Sequence, residues 1–382
     1  MLLVALQSAC AAAGPAKGPP ARASERDPGR PEPSELTLPR IVVSQDETAT
    51  IDELYAHAEQ RLLGGAPGEA AVLFVRVFEL DPDGPRAAEA LYRAAEALDA
   101  QGEVMPAAQR LEQLIRRYPD NPLARHALAD AVRVYAVADQ WRRAGEAARL
   151  LMARYDDLAP VENILARGGL ALAEVEAGQL DAAAVHVSQG RTVLESLNLD
   201  GAGRLPKDTA PLFFALGEIR RLRAEHIRFV PYPPDFLDRL ERRCQLLLDA
   251  QSAYSDVMRA YDAHWSAKAG YRVGELYHRL HSDLLRIPAP AAADTDARRQ
   301  LFEGAMRLRY AILLQKARSM MDHTLAMAQR TGEQSAWVVR AEQASLAIAR
   351  DIRTEQEAID RLPYSRAELQ AALDDLARRR SP

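Results

Sequence analysis

Gly65-x-Pro67-x-x-Ala70, Gly102-x-Val104-x-x-Ala107 and Asp139-x-Trp141-x-x-Ala144 are one pattern written three times. A turn residue is followed two positions later by a bulky apolar residue and five positions later by alanine, and the alanines stand 37 residues apart. The same step carries Leu54 to Leu91 to Leu128, Phe74 to Leu111 to Ala148, and Val77 to Leu114 to Leu151. It also relates Pro82 to Pro119 and Pro85 to Pro122. A fixed period of this length marks a stacked array, in which each unit is a supersecondary element unable to bury its apolar face alone.

Each unit holds two runs with apolar residues or alanine at helical spacing, such as Leu91, Ala94, Ala95, Leu98 and then Ala107, Ala108, Leu111, Leu114, Ile115. Both runs are expected to be helices. Pro122 fits the first turn behind Asn121 as cap, Thr50-x-x-Glu53 reads as a capping box, and Gly65 and Gly102 stand where the chain reverses. Ala70, Ala107 and Ala144 then allow the two helices of a hairpin to approach closely, and larger residues three and four later fill the space between hairpins.

This pattern resembles the tetratricopeptide repeat family, with its small residue early in each second helix, an aromatic or aliphatic four later and a proline after that. Asp81-Pro82-Asp83 and Tyr118-Pro119-Asp120-Asn121-Pro122 match the family's link between repeats. The unit is longer than the family's usual length of about 34 residues, and the aromatic at Phe74 becomes Leu111 and Ala148. The expected fold is an all-α, right-handed α-solenoid of tetratricopeptide-like helical hairpins followed by longer, irregular repeat helices.

Composition agrees. Alanine, leucine, glutamate and arginine dominate the 382 residues, hydrophobic residues make up 48% and aromatics only 6%, which favours helix over sheet. A net charge of −5 and the lack of a basic stripe with interleaved aromatics give no reason to expect nucleic acid. Lysine occurs only four times, at Lys17, Lys207, Lys268 and Lys316.

The chain opens Met1-Leu2-Leu3-Val4-Ala5-Leu6-Gln7-Ser8-Ala9-Cys10, an apolar stretch too short to span a bilayer. Ser8-Ala9-Cys10 resembles the end of a bacterial lipoprotein signal, in which the cysteine is acylated. Gln7 departs from that box, where leucine is usual, and the apolar segment reads as clipped, as if translation starts upstream. Residues 1–10 are thus expected to be a lipoprotein signal remnant, with Cys10 as lipid attachment. Residues 11–48, with seven prolines and no apolar period, are expected to be a disordered tether. The alternative is an ordinary disordered N-terminus with an incidental Cys10.

Four hairpins are expected over 49–198, the fourth carrying Gly178-x-Leu180-x-x-Ala183. Residues 199–234, broken by Pro206, Pro211, Pro231, Pro233 and Pro234, read as an irregular connection with one helix. Elongated repeat helices follow over 235–362, and a capping helix opened by Ser365-x-x-Glu368 occupies 363–382. Tether, repeats and the segment from His264-Trp265 to Trp337 together resemble outer-membrane tetratricopeptide lipoproteins of the myxobacterial gliding machinery. The first three repeats have a weaker likeness to the lipoprotein that assists outer-membrane barrel assembly.

No catalytic motif emerges, and no enzyme, cofactor or resident metal is expected. Gly-x-Ser-x-Gly and His-Glu-x-x-His are absent, and Gly201-x-Gly203-x-x-x-Lys207 lacks the glycine before lysine that a phosphate loop needs. Glu275-x-x-His278-x-x-His281 shares a helix face in the manner of a di-iron ligand pair. No second Glu-x-x-His exists to face it, which leaves a helical metalloenzyme as a remote alternative.

Function is instead expected on the concave face. In the resembling family, positions three before and one after the small central residue of each first helix point into the groove. Carried onto this chain, that picks Tyr55, Glu59, Tyr92, Glu96 and Arg133, with Asp52, Arg93, His126, Asp130 and Arg167 as neighbours. The face would run from acidic and aromatic to more basic and would hold a peptide or helix of another envelope protein. Tyr55 and Tyr92 have a second reading, as packing between adjacent hairpins. The implied role is a periplasmic, lipid-anchored scaffold, with a soluble cytoplasmic adaptor as the alternative.

Overall fold

The computed structural model describes residues 50–199, 201, 203–231, 233–290 and 293–378, with side chains in the last helix to residue 372. Cys10 and the tether 11–48 lie outside the described residues.

Four turns organise the first half, and all four are left-handed. Gly65, Gly102, Asp139 and Gly178 have φ of 77°, 85°, 58° and 75°. After each, an N–H returns to a carbonyl five residues back, from Ala66 to Arg61, Glu103 to Leu98, Gln140 to Tyr135 and Gln179 to Glu174, at 2.8–2.9 Å. This is the bond pattern that ends a helix through a left-handed residue. It separates α1 (Ile51–Leu63) from α2 (Pro67–Leu80), α3 (Ala87–Ala100) from α4 (Val104–Arg117), α5 (Leu123–Val137) from α6 (Trp141–Arg154), and α7 (Pro160–Glu176) from α8 (Leu180–Ser196).

Ala70, Ala107, Ala144 and Ala183 follow those turns, and each is fully buried where the two helices of its hairpin meet. Leu91, Leu128 and Leu165 are buried at equivalent places in successive hairpins. Leu54 is half-buried, because among the described residues no preceding hairpin covers α1. Asn121 accepts the Leu123 N–H at 2.9 Å, satisfying a free donor at the start of α5.

The alternation continues without a break. Helix α9 (Ala210–Glu225) is the one helix expected within the connection 199–234, and it packs against both α7 and α10 (Phe236–Met258) as the first helix of a fifth hairpin. Close approaches make this possible: the Leu212 backbone nitrogen lies 2.8 Å from where a Cβ on Gly168 would stand, and the Tyr254 ring 2.5 Å from one on Gly217. Longer helices follow, α11 (Ala263–Leu285) with α12 (Asp296–Thr331), then α13 (Ala336–Asp360), and the short α14 (Arg366–Arg378) comes last.

From α3 to α13 each odd helix touches the next odd one, so the odd helices form one layer and the even helices another. Helix α14 packs on α12 through the buried Leu369, behind a reciprocal cap between Ser365 and Glu368. No strand occurs among the described residues, and the fold is an all-α, right-handed α-solenoid. None of the helices described is long and apolar enough to cross a membrane.

Candidate partner-binding face

Of the residues singled out from sequence, Asp52, Tyr55 and Glu59 lie on α1, Tyr92, Arg93 and Glu96 on α3, His126, Asp130 and Arg133 on α5, and Arg167 on α7. Tyr55 is 3% exposed, with its ring edge-on to Phe74 at 5.3 Å and the Arg86 guanidinium 4.5 Å above it. Its phenol therefore packs between hairpins, and burial, then Glu89 alongside, pushes its pKa up to about 12. Tyr92 is half-buried and reaches the next hairpin, donating its hydroxyl to Asp130 at 2.7 Å. Asp52 takes Arg86 at 3.2 Å, and Arg93 bonds Glu96 at 2.8 Å one turn away on α3. Glu59 and His126 are exposed.

The basic end of the expected gradient is spent internally. Arg133 lies between Asp130 and Asp208, its Nε 2.8 Å from the latter. Arg167 turns to Asn163 at 2.7 Å and to Gln189, and desolvation lowers its pKa. Asp208 belongs to a 3-10 turn, Lys207–Thr209, which packs on α7. Just before it, the buried Leu205 donates its N–H to the Arg259 carbonyl at 2.9 Å, and Lys207 lies 4.0 Å from Asp262. The chain thus lays its own segment, Leu205–Thr209, against the inner side of the third and fourth hairpins.

A second closure lies beyond that segment. Lys268 on α11 is 0% exposed, with Nζ 4.6 Å from the ring centre of Trp265, 4.7 Å from Phe214, 5.2 Å from Trp141 and 5.3 Å from Trp337. Its ammonium donates to the Asp139 carboxylate, which also accepts the Trp337 indole N–H at 3.1 Å. Four rings supply cation–π attraction and one carboxylate supplies the counter-charge. Burial nevertheless dominates and pulls the Lys268 pKa down to about 8, against the upward pull of Asp139. A neighbouring buried group, Glu218 on α9, is held by Arg221 at 2.6 Å, Arg272 at 3.0 Å and the Tyr254 hydroxyl at 2.6 Å. These charges have partners inside the protein and brace α9, α10 and α11.

Sequence reasoning missed both closures. One signal was available: Asp139 occupies the turn position that glycine holds in the first, second and fourth hairpins. The Glu275, His278, His281 face is also engaged within the protein. Glu275 accepts from Arg272 at 2.6 Å, and His278 Nε2 lies 2.7 Å from Asp351 of α13. His281 is buried, and burial, then His278, lowers its pKa to about 4. Among the described residues no group of three His, Cys, Asp or Glu is placed to hold a metal.

A helix pair that reverses at a left-handed turn, closes on a buried alanine and repeats along an odd-helix layer is a recognisable unit. Residues 62–131 match the tetratricopeptide repeat family. The matched tetratricopeptide segment covers the second helix of the first hairpin, the whole of the second and the opening of the third. Among solved structures, a tetratricopeptide repeat protein from Parabacteroides merdae ATCC 43184 is similar at 11% identity, covering 78% of this chain and 98% of its own with a TM-score of 0.41. Kinesin light chain TPR-like repeats from Podosopora anserina are similar at 18% identity, covering 55% and 96%, with a TM-score of 0.36. No curated protein matches the chain. Tetratricopeptide repeats generally mediate protein–protein interaction, and proteins of this fold are typically non-enzymatic scaffolds.

Proposed function

We propose that this protein is a non-enzymatic scaffold of a bacterial envelope complex, holding a peptide or helix of a partner protein along the inner face of α1, α3 and α5. The observation that carries this reading is the contrast along that face. From Arg133 onward it is covered by Leu205–Thr209, whereas Asp52, Glu59, Glu89, Tyr92, Arg93 and Glu96 keep solvent-accessible side chains on the first two hairpins. An extended chain laid there would meet hydrogen-bonding groups at repeated spacing, which is how grooves of this architecture recognise peptides.

A photo-crosslinking residue placed at Glu96, compared with one at Glu241 on α10, tests the face in cells. Capture of a defined partner from position 96 and not from 241 is expected, and capture only from 241 would overturn the assignment. The envelope part of the proposal, including the likeness to the gliding machinery, rests on the Ser8-Ala9-Cys10 box and the proline-rich stretch after it. Metabolic labelling with a palmitate analogue should mark the wild type and not Cys10→Ala. Unlabelled wild-type protein in the soluble fraction would favour the cytoplasmic adaptor.

A further inference from the structure

We infer that residues 204–208 are a displaceable occupant of the inner face, and that the partner segment takes their place with an apolar side chain in the seat of Leu205 and a carboxylate on Arg133. This rests on the docking role proposed above and adds the chemistry at one end of the groove. Residues 81–86, 118–122 and 155–159 are short links, and each suffices to join one hairpin to the next. The link from the fourth hairpin to the fifth, residues 197–209, is much longer, and its last part turns inward to Arg133. That extra length is not needed for connection. It fills a site.

The filling resembles that of a bound peptide. The Arg204 guanidinium lies 5.6 Å from the centre of the Tyr261 ring. Leu205 buries its side chain and gives its N–H to the Arg259 carbonyl at 2.9 Å, and Lys207 lies 4.0 Å from Asp262. Asp208 accepts from one edge of Arg133, from Nε at 2.8 Å and Nη2 at 3.3 Å, while Nη1 stays with Asp130. A non-helical stretch thus meets an aromatic ring, a main-chain carbonyl, a carboxylate and a guanidinium in turn, the mixture of main-chain and side-chain contacts by which grooves read a peptide. Two-pronged contact with Arg133 selects a carboxylate at the last position.

The hold on this strap is slight. Leu205 is its one buried side chain, the Asp208–Arg133 and Lys207–Asp262 pairs are partly exposed, and Tyr261 lies mostly in solvent. Ion pairs so placed contribute little. Gly203, at the head of the strap, has open space around it and lets the chain turn away. Being tethered favours the strap, so a partner must add contacts elsewhere to win. The open face offers them next door, because Tyr92, Asp130, Arg133 and Asp208 form one hydrogen-bonded line.

The probe is a fluorescein-labelled peptide with the sequence of residues 203–210, Gly-Arg-Leu-Pro-Lys-Asp-Thr-Ala, read by anisotropy against the full chain. The chain whose strap is released by Leu205→Ser with Asp208→Asn should bind it roughly tenfold or more tighter than the wild type. Arg133→Gln added to that chain should undo the gain, and a probe carrying the same two strap substitutions should not bind. Asp208→Asn alone keeps Leu205 seated, which guards against a mere loss of fold, and should bind the probe with intermediate affinity. If neither variant binds the probe tighter than the wild type does, or if Arg133→Gln leaves the gain intact, displacement is refuted. The docking role fails separately. Capture at position 96 with a silent probe keeps the first two hairpins as the face and removes the displacement, whereas a bound probe with no capture at 96 keeps the strap's seat and removes that face.

Discussion

Lysine 268 should give the protein a stability that rises on the alkaline side of neutrality. Its ammonium is fully buried among Trp141, Phe214, Trp265 and Trp337, and the charges facing it are Asp139 from the α5–α6 turn, Glu218 from α9, and Arg272 and His264 from its own helix. Burial is the largest influence and sets the folded pKa at about 8, against 10.5 for a free lysine side chain. Between those two values the unfolded chain carries a proton that the folded chain has released. Unfolding then takes up a proton, and stability increases with pH across the window. At 1.36 kcal/mol per pKa unit, the difference corresponds to about 3 kcal/mol between pH 8 and 10.5. Lys268→Met keeps the volume, removes the titration and leaves Asp139, which is one-third exposed, to water and the Trp337 indole. The variant should lie within ~1 kcal/mol of the wild type or above it at pH 7, since replacing a buried charge by a matched apolar group is often neutral or stabilising. Its urea midpoint should lack the alkaline rise. The three tryptophans of the chain all line this cage, so intrinsic fluorescence reports on it directly. Parallel pH profiles for wild type and variant between pH 8 and 10.5 would refute the reasoning, because they would mean that Lys268 titrates alike in both states.

Two further substitutions test the packing. Asp139→Gly and Asp139→Ala both remove the carboxylate from Lys268, but alanine must also hold φ near 58°, so it should be about 1 kcal/mol less stable than glycine in chemical denaturation; equal stabilities would mean that the turn is not held left-handed. Gly217→Ala places a methyl 2.5 Å from the Tyr254 ring, which also carries the hydrogen bond to Glu218, and should cost about 1–3 kcal/mol by overpacking. An unchanged thermal midpoint for that variant would show that α9 and α10 do not meet as described.

The hairpins were legible because they are local and periodic. A left-handed turn needs glycine or a small polar residue, a tight crossing needs alanine, and both demands recur every 37 residues from Gly65 to Ala144, so three copies corroborate one another. Helix α9 was read as part of a connection because its neighbours 198–211 and 230–235 are rich in glycine and proline, yet its packing partners are buried surfaces on α7 and α10 that no pattern inside 210–225 announces. The charge gradient along the groove was lost for a similar reason: Arg133 projects as expected, but Asp208, 75 residues later, neutralises it. The contacts that close the array are longer still, 129 residues from Asp139 to Lys268 and 198 to Trp337, beyond any repeat. Their one trace in the sequence is the acid at 139. A non-glycine residue in the left-handed region costs of the order of 1 kcal/mol, and glycine would avoid that cost there as it does at 65, 102 and 178. Glycine has no carboxylate, and a buried ammonium left without a counter-charge is costlier than backbone strain. The turn is therefore strained in order to neutralise Lys268, and the closure this permits leaves the first two hairpins as the part of the inner face still open to another chain.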